Sequence, residues 1–360
     1  MTTVSTLLSA LGAGLAFTLG GSAEKPAFDP PAGSSLTKSF SIDGEFALDE
    51  ISLIVEGQDV AGMLGEIQVS MEQHTTIEVT DTYETVAGGR PAVLLRTFDE
   101  LAAEVNIAVT PAIDIPEMAS SSALEGKTVA FRWNPEKGEY ELSFHEGEGE
   151  GEEELLEGLQ EDMDLRLFLP PSEVAEGDSW TVALTELQRL VMPGGNLHML
   201  PEGVDVEQGQ EALEMFEEFF GDFGDELGDL FEGECTCTFK GAEEQGGVRL
   251  GEIAIELEVA ANLDLSEFLD RVIRAAAARE GAEGQFDLSI DTADLNLDFE
   301  GNGTLLWNLS AGRMHSFQMS GDVTIGMDLA VSFEVEGSSQ DVEASLELSG
   351  SMSQEIATKE

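Results

Sequence analysis

Residues 323–335 read V-T-I-G-M-D-L-A-V-S-F-E-V, with Val323, Ile325, Met327, Leu329, Val331, Phe333 and Val335 at every second position. Side chains on an extended chain point alternately to opposite faces, so this run places a continuous apolar line on one face of a strand. Thirteen residues span about 43 Å at roughly 3.3 Å each, and strands of that length coil. The run predicts a mainly β protein built on long, curved antiparallel sheets resembling a half-barrel, with a few packing helices.

Similar patterns extend outward from it. Ile253, Ile255, Leu257 and Val259 alternate with Glu252, Ala254, Glu256 and Glu258, which describes a strand with one wet face. Strands are also expected at 286–290, 295–299 and 304–309. On the amino-terminal side, Phe46 and Leu48, then Ile51, Leu53 and Val55, then Ile67, Val69 and Met71 read as strands, followed by Thr75–Val86 and, after Gly88-Gly89-Arg90-Pro91, Val93–Phe98. Thr128–Trp133 and Glu139–Phe144 form a hairpin around Asn134–Gly138. Leu155–Leu169 stays open between helix and strand. The motif W-N-x-x-x-G occurs at Trp133–Gly138 and again at Trp307–Gly312, consistent with a shared hairpin type or with two related lobes.

These readings divide the chain into an amino-terminal β lobe at 24–200, an acidic Phe-rich helical segment at 201–234 and a carboxy-terminal β lobe at 235–360. The latter carries one helix, about 266–280, capped by Ser266. Residues 1–23 lack charge and carry the apolar stretch from Val4 to Gly20, which is expected to be a signal peptide ending at Ala23. No later stretch is long enough to span a membrane. The protein is therefore expected to be exported, to the periplasm or beyond the cell.

Composition excludes more than it selects. Acidic side chains number 73 and basic ones 16, a net charge of −57. Such a surface repels phosphate backbones, so nucleic acid is not an expected partner. The charge also predicts self-repulsion that salt relieves. The two cysteines, Cys235 and Cys237, share one face of a strand; a disulfide between them would be strained, and they read as small residues lining a sheet.

No catalytic motif survives. Gly126-Lys127-Thr128 lacks the glycine a phosphate loop needs, because Ser121 holds that place. Asp294, Asn296 and Asp298 open like a calcium loop, but Phe299 and Leu305 occupy its glycine and glutamate positions. His74, His145, His198 and His315 show no ligand spacing, so no metal or cofactor is expected beyond non-specific Ca²⁺.

The stretch 211–231, E-A-L-E-M-F-E-E-F-F-G-D-F-G-D-E-L-G-D-L-F, has apolar residues at helical spacing with acids opposite. Phe216, Phe219, Phe220, Phe223 and Leu227 are the candidates for lining an apolar cavity; the same stripe also suits a helix that packs into a core.

Gly89-Arg90-Pro91 running into Leu95–Leu101, the stretch Leu169-Pro170-Pro171 to Gly177–Trp180, and the hairpin at Gly303–Gly312 resemble a family of exported bacterial β-proteins of unknown function, over roughly residues 30–335. The resemblance implies an architecture similar to the lipoprotein-carrier half-barrels, and with it an apolar ligand in the concavity. It carries no catalytic residue. Three functions are open at this stage: non-catalytic binding of a lipid-like molecule, an acidic Ca²⁺-binding structural or adhesive envelope protein, and a hydrolase of envelope polymers.

Overall fold

The computed structural model describes residues 23–63, 67–111, 117–147, 149, 151–201, 231–279, 287–335 and 338–359. The protein is mainly β, as the alternation predicts, and its long antiparallel sheet is not closed. The strands are β1 (Ser34–Val55), β2 (Gln58–Asp59), β3 (Gln68–Ala87), β4 (Arg90–Thr110), β5 (Met118–Ser122), β6 (Thr128–Asn134), β7 (Glu139–Phe144), β8 (Ser179–Val182), β9 (Met199–Pro201), β10 (Phe231–Gln245), β11 (Val248–Asp264), β12 (Asp287–Asn308), β13 (Arg313–Val335) and β14 (Ser338–Lys359). Among the described residues the α-helices are a single turn, α1 (Gln188–Val191), and α2 (Ser266–Arg279), beside a few short 3-10 turns.

Across the sheet the order is β7-β6-β4-β3-β1-β14-β13-β12-β11-β10-β8. The strands of the two expected lobes thus share one sheet: β1 pairs with β14 from Thr37 opposite Lys359 to Val55 opposite Val342. The three short strands expected between 286 and 309 are one strand, β12, that carries a bulge between Ile290 and Thr292. Residues 231–234, expected at the end of the helical segment, extend β10. Ser266 does not cap α2 through its side chain. Its Oγ accepts the amide of Ala293 at 2.9 Å, while the carboxylate of Asp264 takes the Ser266 amide, also at 2.9 Å.

The repeated W-N-x-x-x-G is one turn built twice. Asn134 Oδ1 accepts the amides of Glu136 and Lys137, Asn308 Oδ1 those of Ser310 and Ala311, and each turn closes on a left-handed glycine, Gly138 or Gly312.

Register determines what each face can do. On the inner face, Phe239, Ile253, Leu305, Phe317, Ile356, Phe40, Ile77 and Leu101 stand opposite one another across eight strands, and none is more than 3% exposed. This row is the floor of the core. Its roof is the irregular segment 155–200, which contributes Leu155, Leu159, Met163, Leu165, Phe168 and Leu197; Phe168 stacks on Phe317 at 5.8 Å. Further along the strands the backbone coils tightly. Gly301 faces Gly321 there, and a Cβ on Gly350 would lie 2.0 Å from the carbonyl of Glu45. A side chain cannot enter at such a crease, so small residues curve the sheet at this point.

The outer face is polar, and its register aligns like charges. Glu234, Glu258, Glu300 and Asp322 stand directly opposite one another on β10 to β13, and the same row, after Ser351, ends in Glu45 and Glu72. Carboxylates at about 5 Å across a ladder destabilise it. Neutralising the middle of the row with Glu300→Gln is expected to stabilise the protein by about 0.2–1 kcal/mol at low salt. The gain should shrink near 1 M salt, where the Debye length is about 3 Å. Chemical denaturation at both salt concentrations measures this, and an equal gain in both contradicts the repulsion.

Candidate functional site

A polar residue in the apolar phase of a strand needs a partner, and three such residues meet on the amino-terminal strands. Lys38 lies between Leu36 and Phe40 on β1, Asp81 follows Ile77 and Val79 on β3, and Arg96 sits between Leu94 and Phe98 on β4. All three are fully buried. Lys38 Nζ lies 2.8 Å from Asp81 and 2.9 Å from Asp164, and Arg96 holds Asp81 with two bonds of 2.7 and 2.8 Å. Tyr83 donates its hydroxyl to Asp164 at 2.9 Å.

The same guanidinium reaches the roof. Arg96 donates to the carbonyls of Gln160 and Glu161 at 3.0 and 2.8 Å, so it satisfies backbone groups in a segment that has no ladder of its own. Arg166 then pairs with Glu161 and comes within 3.1 Å of Asp162, and its guanidinium lies 4.9 Å from the ring centre of Phe28. The enclosed cations are Lys38, Arg96 and Arg166; the enclosed carboxyls are Asp81, Glu161, Asp162 and Asp164. One carboxyl in excess remains, with Arg189 at the margin 4.0 Å from Asp162.

The titration of the cluster follows from this count. Burial pushes the Asp81 carboxyl up, but the charges of Arg96 and Lys38 outweigh it and hold the group down at about 2. Burial raises Glu161, Arg166 opposes the rise, and the neighbouring charges of Asp162 and Asp164 add to it, leaving the group at about 7. Tyr83 is pushed well above its usual range by burial and by Asp164. Lys38, Asp81, Arg96 and Asp164 are closed to solvent, Arg166 reaches the surface with its side chain 16% exposed, and the cluster fastens the roof to the sheet. Glu161, the carboxyl with the raised pKa, is buried beside the partly exposed Arg166.

The second feature is open. Past the glycine crease, the inner phase continues as Ile325, Met327, Leu329, Val331 and Phe333 on β13, opposite Leu348, Leu346, Ala344, Val342 and Gln340 on β14, with Leu48, Ile51, Leu53 and Val55 beyond them on β1. These apolar side chains are half-buried, and Ile51 is 37% exposed. Among the described residues, α2 is the helix near this end, packed on β12. Among the described residues, the sheet therefore has a packed half under residues 155–200 and an apolar half that they cover only in part.

The residues expected to line a cavity, Phe216, Phe219, Phe220, Phe223 and Leu227, lie outside the described residues. Cys235 and Cys237 are free, buried thiols facing the core, and Cys237 holds its proton far above the usual range through its bond to Cys235 and its burial. Two surface hollows of about 410 and 460 Å³ mix carboxylates with small and apolar residues, Asp99, Glu100, Glu104 and Glu125 beside Leu101 and alanines in one, and Glu232, Glu258, Asp298, Glu300 and Asp322 beside Val259 and Phe299 in the other. Among the described residues no three acids, histidines or cysteines converge to hold a metal, and no helix is long and apolar enough to cross a membrane.

No family model matches the chain, and no curated protein matches it. Among solved structures it has a likeness to the crystal structure of Pseudomonas aeruginosa OpdK with vanillate, at 6% identity over 90% of this chain and 99% of that one. The TM-score is 0.10, and a likeness of that size carries no argument about fold or function.

Sequence reasoning missed the buried cluster. Its signal was a charged residue in the apolar phase at Lys38, Asp81 and Arg96, but nothing local pairs residue 38 with residues 81 and 164.

Two substitutions probe the cluster. Asp81→Ala leaves Lys38 with Asp164 alone and Arg96 with no carboxylate within the cluster's sheet strands, only the carbonyls of Gln160 and Glu161, and is expected to cost about 3–5 kcal/mol in denaturant unfolding, or to prevent folding; a loss under 1 kcal/mol contradicts a buried ionic anchor. Glu161, whose carboxyl rises from 4.5 to about 7 on folding, binds a proton as the chain folds. Its contribution is complete below pH 4.5 and is lost as pH rises through about 7, with an upper bound of about 3 kcal/mol. Asp81 has the opposite sign: its contribution is present above pH 3.8 and is lost as pH falls toward about 2. The variant Glu161→Gln is expected to flatten the fall in stability between pH 4.5 and about 7. An unchanged slope would show that Glu161 titrates normally.

Proposed function

We propose that this protein is exported, to the periplasm or beyond the cell, and binds an apolar, lipid-like molecule without catalysis, on the open half of its inner sheet face. The observation that carries this reading is the continuation of one apolar phase, on β1, β12, β13 and β14, past the end of the packed core. A folded surface rarely leaves a contiguous apolar area of this kind without a use.

Full burial of a Leu, Ile, Met or Phe side chain is worth about 1.5–3 kcal/mol, so half-buried ones can gain roughly 1 kcal/mol each. A molecule that covers six of them gains about 6 kcal/mol, equivalent to a Kd near 40 μM before ordering costs. An extended tail suits the geometry, because Ile325 to Phe333 runs about 26 Å along one strand at roughly 3.3 Å per residue.

Native mass spectrometry of protein exported from a bacterial host and gently purified tests this. Extra mass that organic solvent strips is expected on the natural chain and absent from a Met327→Glu/Leu346→Glu double variant whose circular dichroism is unchanged. Equal adducts on both proteins, or none on the natural chain after incubation with a long-chain alcohol, contradict the reading.

A further inference from the structure

The charges gathered under residues 155–169 do not balance. Lys38, Arg96 and Arg166 stand against four carboxyls, Asp81, Glu161, Asp162 and Asp164. Arg189, at the margin, is committed to Glu186 at 2.6 Å. An unmatched charge taken out of water costs far more than a neutral acid, so the cluster closes without surplus charge only if one carboxyl keeps its proton.

Hydrogen bonding marks which one. Asp81 accepts from Lys38 and Arg96, Asp164 lies against Lys38 and Tyr83, and Asp162 accepts the Asp164 amide at 3.0 Å beside Arg166. The second oxygen of Asp162 has no hydrogen bond, but Arg189 lies 4.0 Å from it. Glu161 holds Arg166 with one oxygen; among the described residues its other oxygen, Oε1, is buried and meets no donor. Tyr140 on β7 faces Glu161 and gives its own proton to the carbonyl of Pro91 at 2.8 Å, so its oxygen is open to a proton carried by Glu161. Arg96 faces the carboxyl from β4, with Arg90 beside Tyr140 and with Lys38, Asp81 and Tyr83 behind it on β1 and β3. Burial, opposed by Arg166 and reinforced by Asp162 and Asp164, holds Glu161 up at about 7.

We infer that Glu161 is a proton-operated latch: protonated, it lets the segment 155–169 close over the sheet, and ionised, it releases that segment while the sheet stays folded. The polar ties between segment and sheet are few: Arg96 to the carbonyls of Gln160 and Glu161, Lys38 and Tyr83 to Asp164, and Arg166 to the carbonyl of Gly89. Ionising Glu161 adds a negative charge beside Asp162 and Asp164, and admitting water relieves it once these ties open. The strands keep their own ladders, so the opening is local. The closed form binds the proton, which makes falling pH favour closure and rising pH favour release. The latch does not depend on what the open half of the sheet binds.

Hydrogen exchange of the full chain, read by peptide mass spectrometry at about pH 5.5 and about pH 8.5 and corrected for intrinsic rates, tests the latch. Protection of 155–169 is expected to fall about thirtyfold from the lower pH to the higher, the ratio for a carboxyl at 4.5 when exposed and about 7 when enclosed, while β13 and β14 keep theirs. Glu161→Gln, which keeps the shape without titrating, should abolish the fall. Asp162→Asn removes the surplus charge by another route and should shrink the fall, which keeps the latch testable if Glu161→Gln does not fold. No fall in the natural chain, an undiminished fall in either variant, or a fall shared by β13 and β14 overturns the latch.

Discussion

A sheet whose strands run 20 to 23 residues has more apolar face than the irregular layer at residues 155–200 covers among the described residues. The inner phase of β13 is apolar from Phe317 to Phe333, interrupted only by Gly321, yet the roof built from residues 155–200 reaches the Phe317 end alone. Everything distinctive in the molecule follows from that mismatch. The covered end excludes water so well that Val79, Leu94, Phe98, Phe131 and Trp307 are fully buried. The other end, past the crease at Gly301 and Gly321, leaves side chains of the same kind half in solvent. The glycines that bend the sheet mark the boundary between the two.

The covered end has its own difficulty. Its roof has few regular elements, and Leu165 takes a left-handed conformation with φ 53°. Hydrophobic contact alone would not fix such a segment in one position. Fully buried charge does so, because Lys38, Arg96, Asp81 and Asp164 must satisfy one another and the roof carbonyls once water is gone, and each bond they make is directional. Arg96 is the connector: one edge of its guanidinium holds Asp81 of the sheet, and the other holds the carbonyls of residues 160 and 161. Desolvating these ions is costly, and replacing them all by apolar residues of equal volume could cost little stability. The benefit of the cluster lies in position, a roof held in one register over its floor.

The strands were legible in the sequence wherever one face was wet. At 253–259 and 323–335 the period-two signal is unbroken, and both segments are strands. The unity of β12 was hidden, because its bulge after Ile290 shifts the phase and its outer face carries Asp294, Asn296, Asp298 and Asn302, which resemble turn residues. The pairing of β1 with β14 was not legible at all, since it joins residues 37 and 359, and no local window holds both. The segment 155–169 had no period to find: its shape comes from Arg96, Lys38 and Tyr83, all distant in sequence. For the site, the apolar phase was visible, but which half of it lies uncovered depends on where the roof ends. The aromatic residues 216–223, chosen for their helical stripe, lie outside the described residues.

The open half of the sheet face is the centre of this account, and direct mapping tests it. A long-chain alcohol bearing a diazirine near the tail end would be bound to the full chain, irradiated, and its adducts located by peptide mass spectrometry. Labels concentrated on the inward residues of β12, β13 and β14 between 288 and 297, 325 and 333, and 342 and 348 are the expected result. Labels spread over the outer face, or confined to the region around Phe317 and Phe40, would contradict it.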